Sequence, residues 1–265
     1  MTRIAVLGAN GRMGRAVLHA ALASDDLQVV AAITRESSAS IGVDAGTLVG
    51  MPPCGVALAP LAASQLTDAE VVIDFSLPPG LLRTLPMLGH RALISGTTGL
   101  NVEESSRVLA QAAIAPVLQA ANFSTGVHVL HHLVKVAAQT LANFDAEVIE
   151  THHNQKRDAP SGTALFLAGA VAEARHQRLG EALRNGRSGH TGARPGSEIG
   201  MHAVRGGDVV GEHTVGLFGP GEHVRLEHVA TSRETFARGA LRAARWIAGR
   251  PAGNYTMADV LGLTS

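Results

Sequence analysis

Two regimes of apolar and polar spacing follow one another along this 265-residue chain. In the first, Arg3-Ile4-Ala5-Val6-Leu7, Leu27 to Ile33, Val71 to Phe75, Ala92 to Ser95 and Pro116 to Ala120 are short, nearly continuous apolar runs. Such runs belong to strands covered on both faces, as in a parallel sheet. Between them, Arg15 to Ala23 and Val102 to Ala113 carry apolar residues at helical spacing. This β-α alternation predicts a doubly wound parallel sheet in the N-terminal part.

The pattern changes after Asn122-Phe123-Ser124. His128 to Phe144 reads as one long helix and Ala146 to Glu150 as a strand. A second long helix is expected from Ser161 to about Leu179-Gly180, with glycine as its C-cap. Glu181 to Ser197, polar and rich in Gly and Arg, reads as a long mobile loop carrying Arg187 and Arg194, which are expected to close over ligands. Glu198 to Val204, Val209 to Phe218 and His223 to Ala230 read as an antiparallel meander, broken at Gly206-Gly207-Asp208 and Gly219-Pro220-Gly221. Thr235 to Ala248 closes the chain as a helix with one apolar side.

Composition narrows the class. Hydrophobic residues make up 46% and aromatics only 3%, which suits close-packed helices on a sheet. The 22 basic and 22 acidic residues cancel, so no long-range field draws nucleic acid or an anionic membrane, and any anion site must be local. Cys54 is the single cysteine, which excludes an internal disulfide. No apolar run has the length of a membrane span. Met1 to Leu7 enters a strand directly, without a basic-then-apolar leader, so the expected location is the cytoplasm.

Two segments carry chemistry. Gly8-x-x-Gly11-x-x-Gly14 lies between a strand and a helix, the context in which a glycine turn means dinucleotide binding. There the backbone approaches the pyrophosphate and the helix N-terminus adds positive charge. Asn10 stands where the fingerprint has its middle glycine, a change tolerated because Asn visits left-handed geometry. At the end of the second strand, where a carboxylate would bind ribose hydroxyls and repel a 2′-phosphate, the chain has Thr34-Arg35. Thr34 cannot repel phosphate and Arg35 can pair with it, so NADPH is expected ahead of NADH.

The other segment is Glu150-Thr151-His152-His153-Asn154-Gln155-Lys156-Arg157-Asp158-Ala159-Pro160-Ser161-Gly162-Thr163. It gathers two imidazoles, a lysine and a helix start capped by Ser161. Those parts can hold a small dianion and deliver a proton to it. In a regular strand His152 and His153 point to opposite faces, so at most one should meet the reacting atom unless the strand has ended.

With Asp44-Ala45-Gly46, Asp74-Phe75-Ser76, Gly96-Thr97-Thr98-Gly99, Ala120 to Ser124, Gly189-His190-Thr191-Gly192 and Gly207 to Thr214, these segments resemble the 4-hydroxy-tetrahydrodipicolinate (dihydrodipicolinate) reductase family over essentially the whole chain. The resemblance implies an α/β fold, with a Rossmann-type doubly wound domain over residues 1–121 and 231–265. An α+β domain with a mixed open sheet, for substrate binding and tetramer formation, would cover 122–230. It implies reduction of a small ring dicarboxylate in diaminopimelate and lysine synthesis by a homotetramer, using NADPH, with NADH as an alternative. By position, Gly8, Ala9, Asn10, Gly11, Arg12 and Met13 would hold the pyrophosphate, with Thr34 and Arg35 beside the adenosine ribose. Gly96, Thr97, Thr98, Ala120, Ala121, Asn122 and Phe123 would line the nicotinamide side. His152 would be the proton donor, Lys156 the second catalytic residue, and His153, Gly162 and Thr163 the ligands of the substrate carboxylates. The family often has an acidic residue where Thr34 stands, a departure that favours NADPH.

Other readings follow from other features. His128, His131 and His132, three of 13 histidines, fall on one helical face with metal-ligand spacing, although the resemblance requires no metal. A nucleotide sensor without chemistry would be expected to lose His152 or Lys156, and both are present. A reductase of another small imine keeps every motif, because a fold does not fix a substrate.

Overall fold

The computed structural model describes residues 1–263, and the chain divides into two compact units. One holds the chain up to Thr125 and again from Arg233; the other runs from Gly126 to Ser232. Thr264 and Ser265, included in the expected nucleotide domain, lie outside the described residues.

In the first unit the expected strands are β1 (Thr2–Leu7), β2 (Leu27–Thr34), β4 (Val71–Asp74), β5 (Ala92–Ser95) and β6 (Pro116–Gln119), with β3 (Leu58–Pro60) and β12 (Gly253–Tyr255) added at the edges. All pair in parallel in the order β12-β6-β5-β4-β1-β2-β3. Helices α1 (Arg12–Leu22) and α8 (Glu234–Ile247) pack on one face, while α3 (Pro78–Leu88) and α4 (Val102–Ala110) supply the core on the other. The strand order reverses direction between β1 and β4, and ligands of such sheets bind beyond the carboxyl ends of the strands at that point.

In the second unit β7 (Asp145–His152) is the middle strand of the order β11-β10-β7-β9-β8. Here β8 is Leu183–Asn185, β9 Ile199–Arg205, β10 Gly211–Gly219 and β11 Glu222–Ala230. Helices α5 (Thr125–Thr140) and α6 (Gly162–Ala174) cover one sheet face through Leu130, Val134, Leu167 and Val171. The expected mixed sheet is present, but the meander is only half of it. β10 and β11 form an antiparallel hairpin, whereas β9 runs parallel to β7 on its other side. Two further expectations change. Helix α6 ends at Ala174, followed by Arg175 and a left-handed His176, rather than continuing to a glycine cap. The segment 181–197 is not one structureless loop: Leu183–Asn185 forms β8.

The rest of that segment is pinned to β7. Glu147, on the outer sheet face, accepts from Arg187 at 2.9 and 3.1 Å, from Arg194 at 2.9 Å and pairs with His202 at 2.7 Å. Arg194 also binds Asp145 at 2.7 Å, and Arg187 binds Glu198 at 3.1 Å. Both guanidinium groups of the loop expected to close over ligands thus bond carboxylates of this unit. Gly200 on β9 makes room for the cluster, since a Cβ there would overlap the Glu147 carboxylate.

Burial works to raise the Glu147 pKa, but Arg187, His202 and Arg194 outweigh it and hold it at about 2, below its ordinary value of 4.5. A depressed carboxylate contributes stability above its unfolded pKa and loses it as pH falls through the folded one. Thermal stability is therefore expected to drop between pH 4.5 and about 2. Glu147→Gln should be less stable at neutral pH and show a shallower drop in that window. An unchanged acid profile in differential scanning fluorimetry would contradict the assignment.

Candidate active site

In the first unit, candidate residues gather at the ends of β1, β2 and β4. The chain leaves β1 through Gly8 at φ +72°, where a Cβ would stand 2.6 Å from the Phe75 carbonyl oxygen. Gly11 is the N-cap of α1 and offers no side chain to the first-turn N–H groups, which are left without a side-chain cap. Gly14 is buried, and a Cβ on it would overlap the Gly8 carbonyl, so the turn closes only with glycine there. Asn10 is not left-handed, contrary to expectation. Its side chain explains its place: the amide donates to Ser38 Oγ at 3.1 Å, and its oxygen accepts from Arg15 at 2.6 Å.

A cleft of about 680 Å³ lies over this turn. Of the expected cofactor residues, Gly8, Asn10, Gly11, Arg12, Met13, Thr34 and Arg35 line it. Ala9 is fully buried beneath the turn. Thr34 is buried at the end of β2, and Arg35 is exposed beside it. Sequence reading missed Arg83, which lines the cleft from α3 and lies 4.0 Å from Glu36. Nothing in its local pattern separates it from a surface arginine.

Gly96, Thr97, Thr98, Ala120, Ala121, Asn122 and Phe123 do not line that cleft; they follow the ends of β5 and β6. Among them Thr97 is held by the fully buried Asp74. One oxygen accepts from Ser76 N–H at 3.0 Å and Ser76 Oγ at 2.5 Å; the other accepts from Ser95 and Thr97 hydroxyls, each at 2.7 Å. Four donors satisfy a buried carboxylate and lock the ends of β4 and β5 together. Gly96 fits against the Phe75 ring, which in turn meets Phe123 edge-on at 5.6 Å. Thr98 and Ala121 are exposed, and the Asn122 side chain accepts from Ser124 N–H at 2.7 Å.

In the second unit, candidate residues gather on β7, β9, β10 and the start of α6. Alternation on β7 puts Ala146, Val148, Glu150 and His152 on the buried face. Glu150 is fully buried, and its carboxylate pairs with His152 Nδ1 at 2.5 Å. It also accepts both arms of Arg205 at 2.8 Å and Ser161 N–H at 3.0 Å. Desolvation works to raise the Glu150 pKa, and Arg205 and His152 outweigh it, leaving it below the ordinary carboxylate value. For His152, burial lowers the pKa and Glu150 only partly restores it.

His153 lies one residue beyond the strand, its N–H bonded to Val209 O at 2.8 Å. Lys156 Nζ sits 2.9 Å from both oxygens of Asp158, a partner that sequence reading did not assign. Ser161 caps α6, accepting from Ala164 N–H at 3.1 Å, which leaves Gly162 and Thr163 in the first two helical positions. Gly162 is exposed, with open space where a side chain would be.

Ser161 Oγ is 3.1 Å from His213 Nε2. The hydroxyl has a lone pair for Ala164 N–H and a second for a ring N–H, so its contact with His213 suits either neutral tautomer of that ring. Burial and the neighbouring His152 push the His213 pKa down to about 4. The rings of His152 and His213 meet edge-on at 5.1 Å.

His128 and His131, weighed above as metal ligands, pack on Phe166, His131 stacked at 3.9 Å. Among the described residues no three His, Cys, Asp or Glu side chains converge as a metal site would need, and no helix is long and apolar enough to cross a membrane.

The geometry of the glycine turn is testable by itself. Gly14→Ala forces a shift of the Gly8 carbonyl, and overpacking of this kind costs about 1–3 kcal/mol. Dinucleotide binding, followed by fluorescence titration, is expected to weaken by roughly ten-fold or more. Unchanged affinity would contradict the cradle.

Comparison with known proteins covers both units. Residues 2–123 match the family model for the dihydrodipicolinate reductase N-terminus, and residues 126–261 match that for its C-terminus. The chain is 47% identical over its whole length to a 4-hydroxy-tetrahydrodipicolinate reductase of Anaeromyxobacter sp. (strain Fw109-5), covering 99% of that protein. It is 46% identical to one from Acinetobacter baumannii (strain AYE), over 98% of this chain and 96% of the other. Among solved structures, a dipicolinate-bound dihydrodipicolinate reductase from Paenisporosarcina sp. TG-14 has the same fold, with a TM-score of 0.75 at 22% identity, covering 98% of each chain. An amine dehydrogenase from Mycobacterium smegmatis is more distant, with a TM-score of 0.58 at 15% identity, over 97% of this chain and 95% of the other. The chain belongs to the dihydrodipicolinate reductase family, whose curated members here are named 4-hydroxy-tetrahydrodipicolinate reductase.

Proposed function

We propose that this chain reduces 4-hydroxy-tetrahydrodipicolinate to tetrahydrodipicolinate with loss of water, NADPH being the preferred nicotinamide cofactor. The observation that carries the reading is the buried Glu150–His152 pair next to the capped start of α6 and Lys156. When bound, the cofactor supplies the hydride. The open first turn of α1 and the glycine-lined cleft suit its pyrophosphate.

His152 supplies the proton. With Nδ1–H held by Glu150, a neutral His152 presents only a lone pair at Nε2, so it donates there as the imidazolium. Burial disfavours that form in the free protein, and a bound dianion favours it by adding negative charge nearby. Lys156 and His153 supply positive charge or donors, and Gly162 and Thr163 present first-turn N–H groups to a carboxylate. Dipicolinate, bound in the Paenisporosarcina protein, is a ring dicarboxylate of the class such a cradle fits.

His152→Ala is expected to lose roughly 10²–10⁴-fold in kcat, with NADPH binding unchanged. In the parent enzyme kcat/KM should fall with rising pH above the lowered His152 pKa, and that limb should vanish in the variant. Near-normal turnover by His152→Ala would refute the assignment.

For the cofactor, Thr34 leaves no charge against a 2′-phosphate, and the exposed Arg35 can fork onto it. The neighbouring Glu36 faces Arg83 in a highly exposed pair, where solvent screening makes its effect small. Arg35→Ala is expected to weaken NADPH binding by about one to two decades, the 1.5–3 kcal/mol of a charged hydrogen bond, and to leave NADH unaffected. Tighter NADH binding by the parent protein would overturn the preference.

Assembly as a homotetramer through the second unit's sheet belongs to the same reading. Ile149, Val204 and Val229 are exposed on the face opposite its core, as an interface requires. A monomer in sedimentation equilibrium would contradict it.

A further inference from the structure

We propose that Glu150 is a positioning residue for the reaction, a single buried carboxylate that sets the tautomer of His152, seats the start of α6 and, through Arg205, fixes the segment carrying Lys156. The proposal rests on the reading of His152 as proton donor.

Strand geometry makes the first link. Two residues apart on β7, Glu150 and His152 share the buried face, and the carboxylate takes the Nδ1 side of the ring. Nε2 is then the nitrogen left for the ligand. Opposite it on β10 stands Gly211, whose missing Cβ would lie 3.0 Å from that nitrogen, so the strand leaves the approach clear.

The second link is at the anion cradle. The other carboxylate oxygen accepts the backbone N–H of Ser161, the residue that caps α6 immediately before Gly162. The third link is Arg205, at the end of β9. Its two arms close on Glu150, and one reaches the Asp158 carbonyl at 2.7 Å; the Asp158 carboxylate holds Lys156.

Four charged or titratable groups face the His152 ring: Glu150 on its own strand, Arg205 from β9, His213 from β10 and Lys156 from the segment after β7. Arg205 and Lys156 both disfavour a positive ring, and His213 adds no negative charge. Glu150 is the anion in contact with His152, so removing its charge leaves the imidazolium among cations. A purely structural ion pair between Glu150 and Arg205 would influence stability without setting which nitrogen of His152 carries the proton.

Glu150→Gln keeps the shape and removes the charge. The alkaline limb of kcat/KM is expected to move down by about one pH unit or more, and kcat near neutrality to fall roughly 10²-fold, while NADPH affinity stays unchanged. Added to His152→Ala, the substitution should cost far less than it does alone, only what its links to α6 and the Lys156 segment contribute. Glu150→Asp, which retains the charge, should move the limb back toward the parent. Nitrogen-15 NMR of the unmodified protein labelled at histidine gives a readout that needs no variant to fold: the neutral His152 should carry its proton on Nδ1. A parent-like pH profile and kcat in Glu150→Gln, or an Nε2-protonated neutral His152, would overturn the proposal while leaving the reductase reading intact. Near-normal turnover by His152→Ala would instead remove the reading on which it rests.

Discussion

A carboxylate taken out of water must recover its lost hydration from donors placed around it, or it will not stay ionised. Glu150 meets that demand in full at the centre of the second unit, with the Arg205 fork, the His152 ring and the Ser161 backbone as its donors. Those donors come from β9, from β7 itself and from the turn into α6, so the folding of these elements and the satisfaction of one charge are a single requirement. Replacing any donor leaves the carboxylate short, which is why the geometry around His152 is held so closely.

The first unit solves a similar problem differently. Asp74 is also fully buried, yet its donors are hydroxyls and one backbone N–H, with no cation among the bonds it makes. Short hydroxyl side chains are stiff and bring no charge, so this arrangement fixes the ends of β4 and β5 without adding a positive field. Three cations of that unit, the guanidinium groups of Arg12, Arg35 and Arg83, line the cleft instead. On the proposed reading, one unit keeps positive charge for a phosphate-bearing cofactor, and the other joins an acid to a cradle for carboxylates.

Much of this was legible in the chain because the signals are local. The β1 turn and α1 follow from glycine spacing and a change of apolar period within a few residues, and Gly8 and Gly14 occupy places that admit no side chain. The segment from Glu150 to Thr163 likewise carries its cap, its lysine and its histidines in order. What escaped the sequence depends on partners far along the chain. β9 looked like the neighbour of β10, yet β7 lies between them, and only packing in space decides that. The order of the segment around Arg187 and Arg194 comes from Glu147, some forty residues earlier, so its polar composition alone read as a loop. Asn10 was assigned a backbone role, while its side-chain bonds to Arg15 and Ser38 are what hold it. Arg205 carried no signal, because an arginine at a strand end acquires meaning only opposite a buried carboxylate.

The most direct test is cofactor oxidation with the substrate generated in place, by a dihydrodipicolinate synthase acting on pyruvate and aspartate semialdehyde. NADPH carrying deuterium at the transferable position serves as the reductant. The expected result is rapid oxidation that requires the synthase, with one deuterium appearing in the ring product by mass spectrometry. Oxidation absent with both NADPH and NADH, or a product without the label, would contradict the assignment of this chain as the reductase.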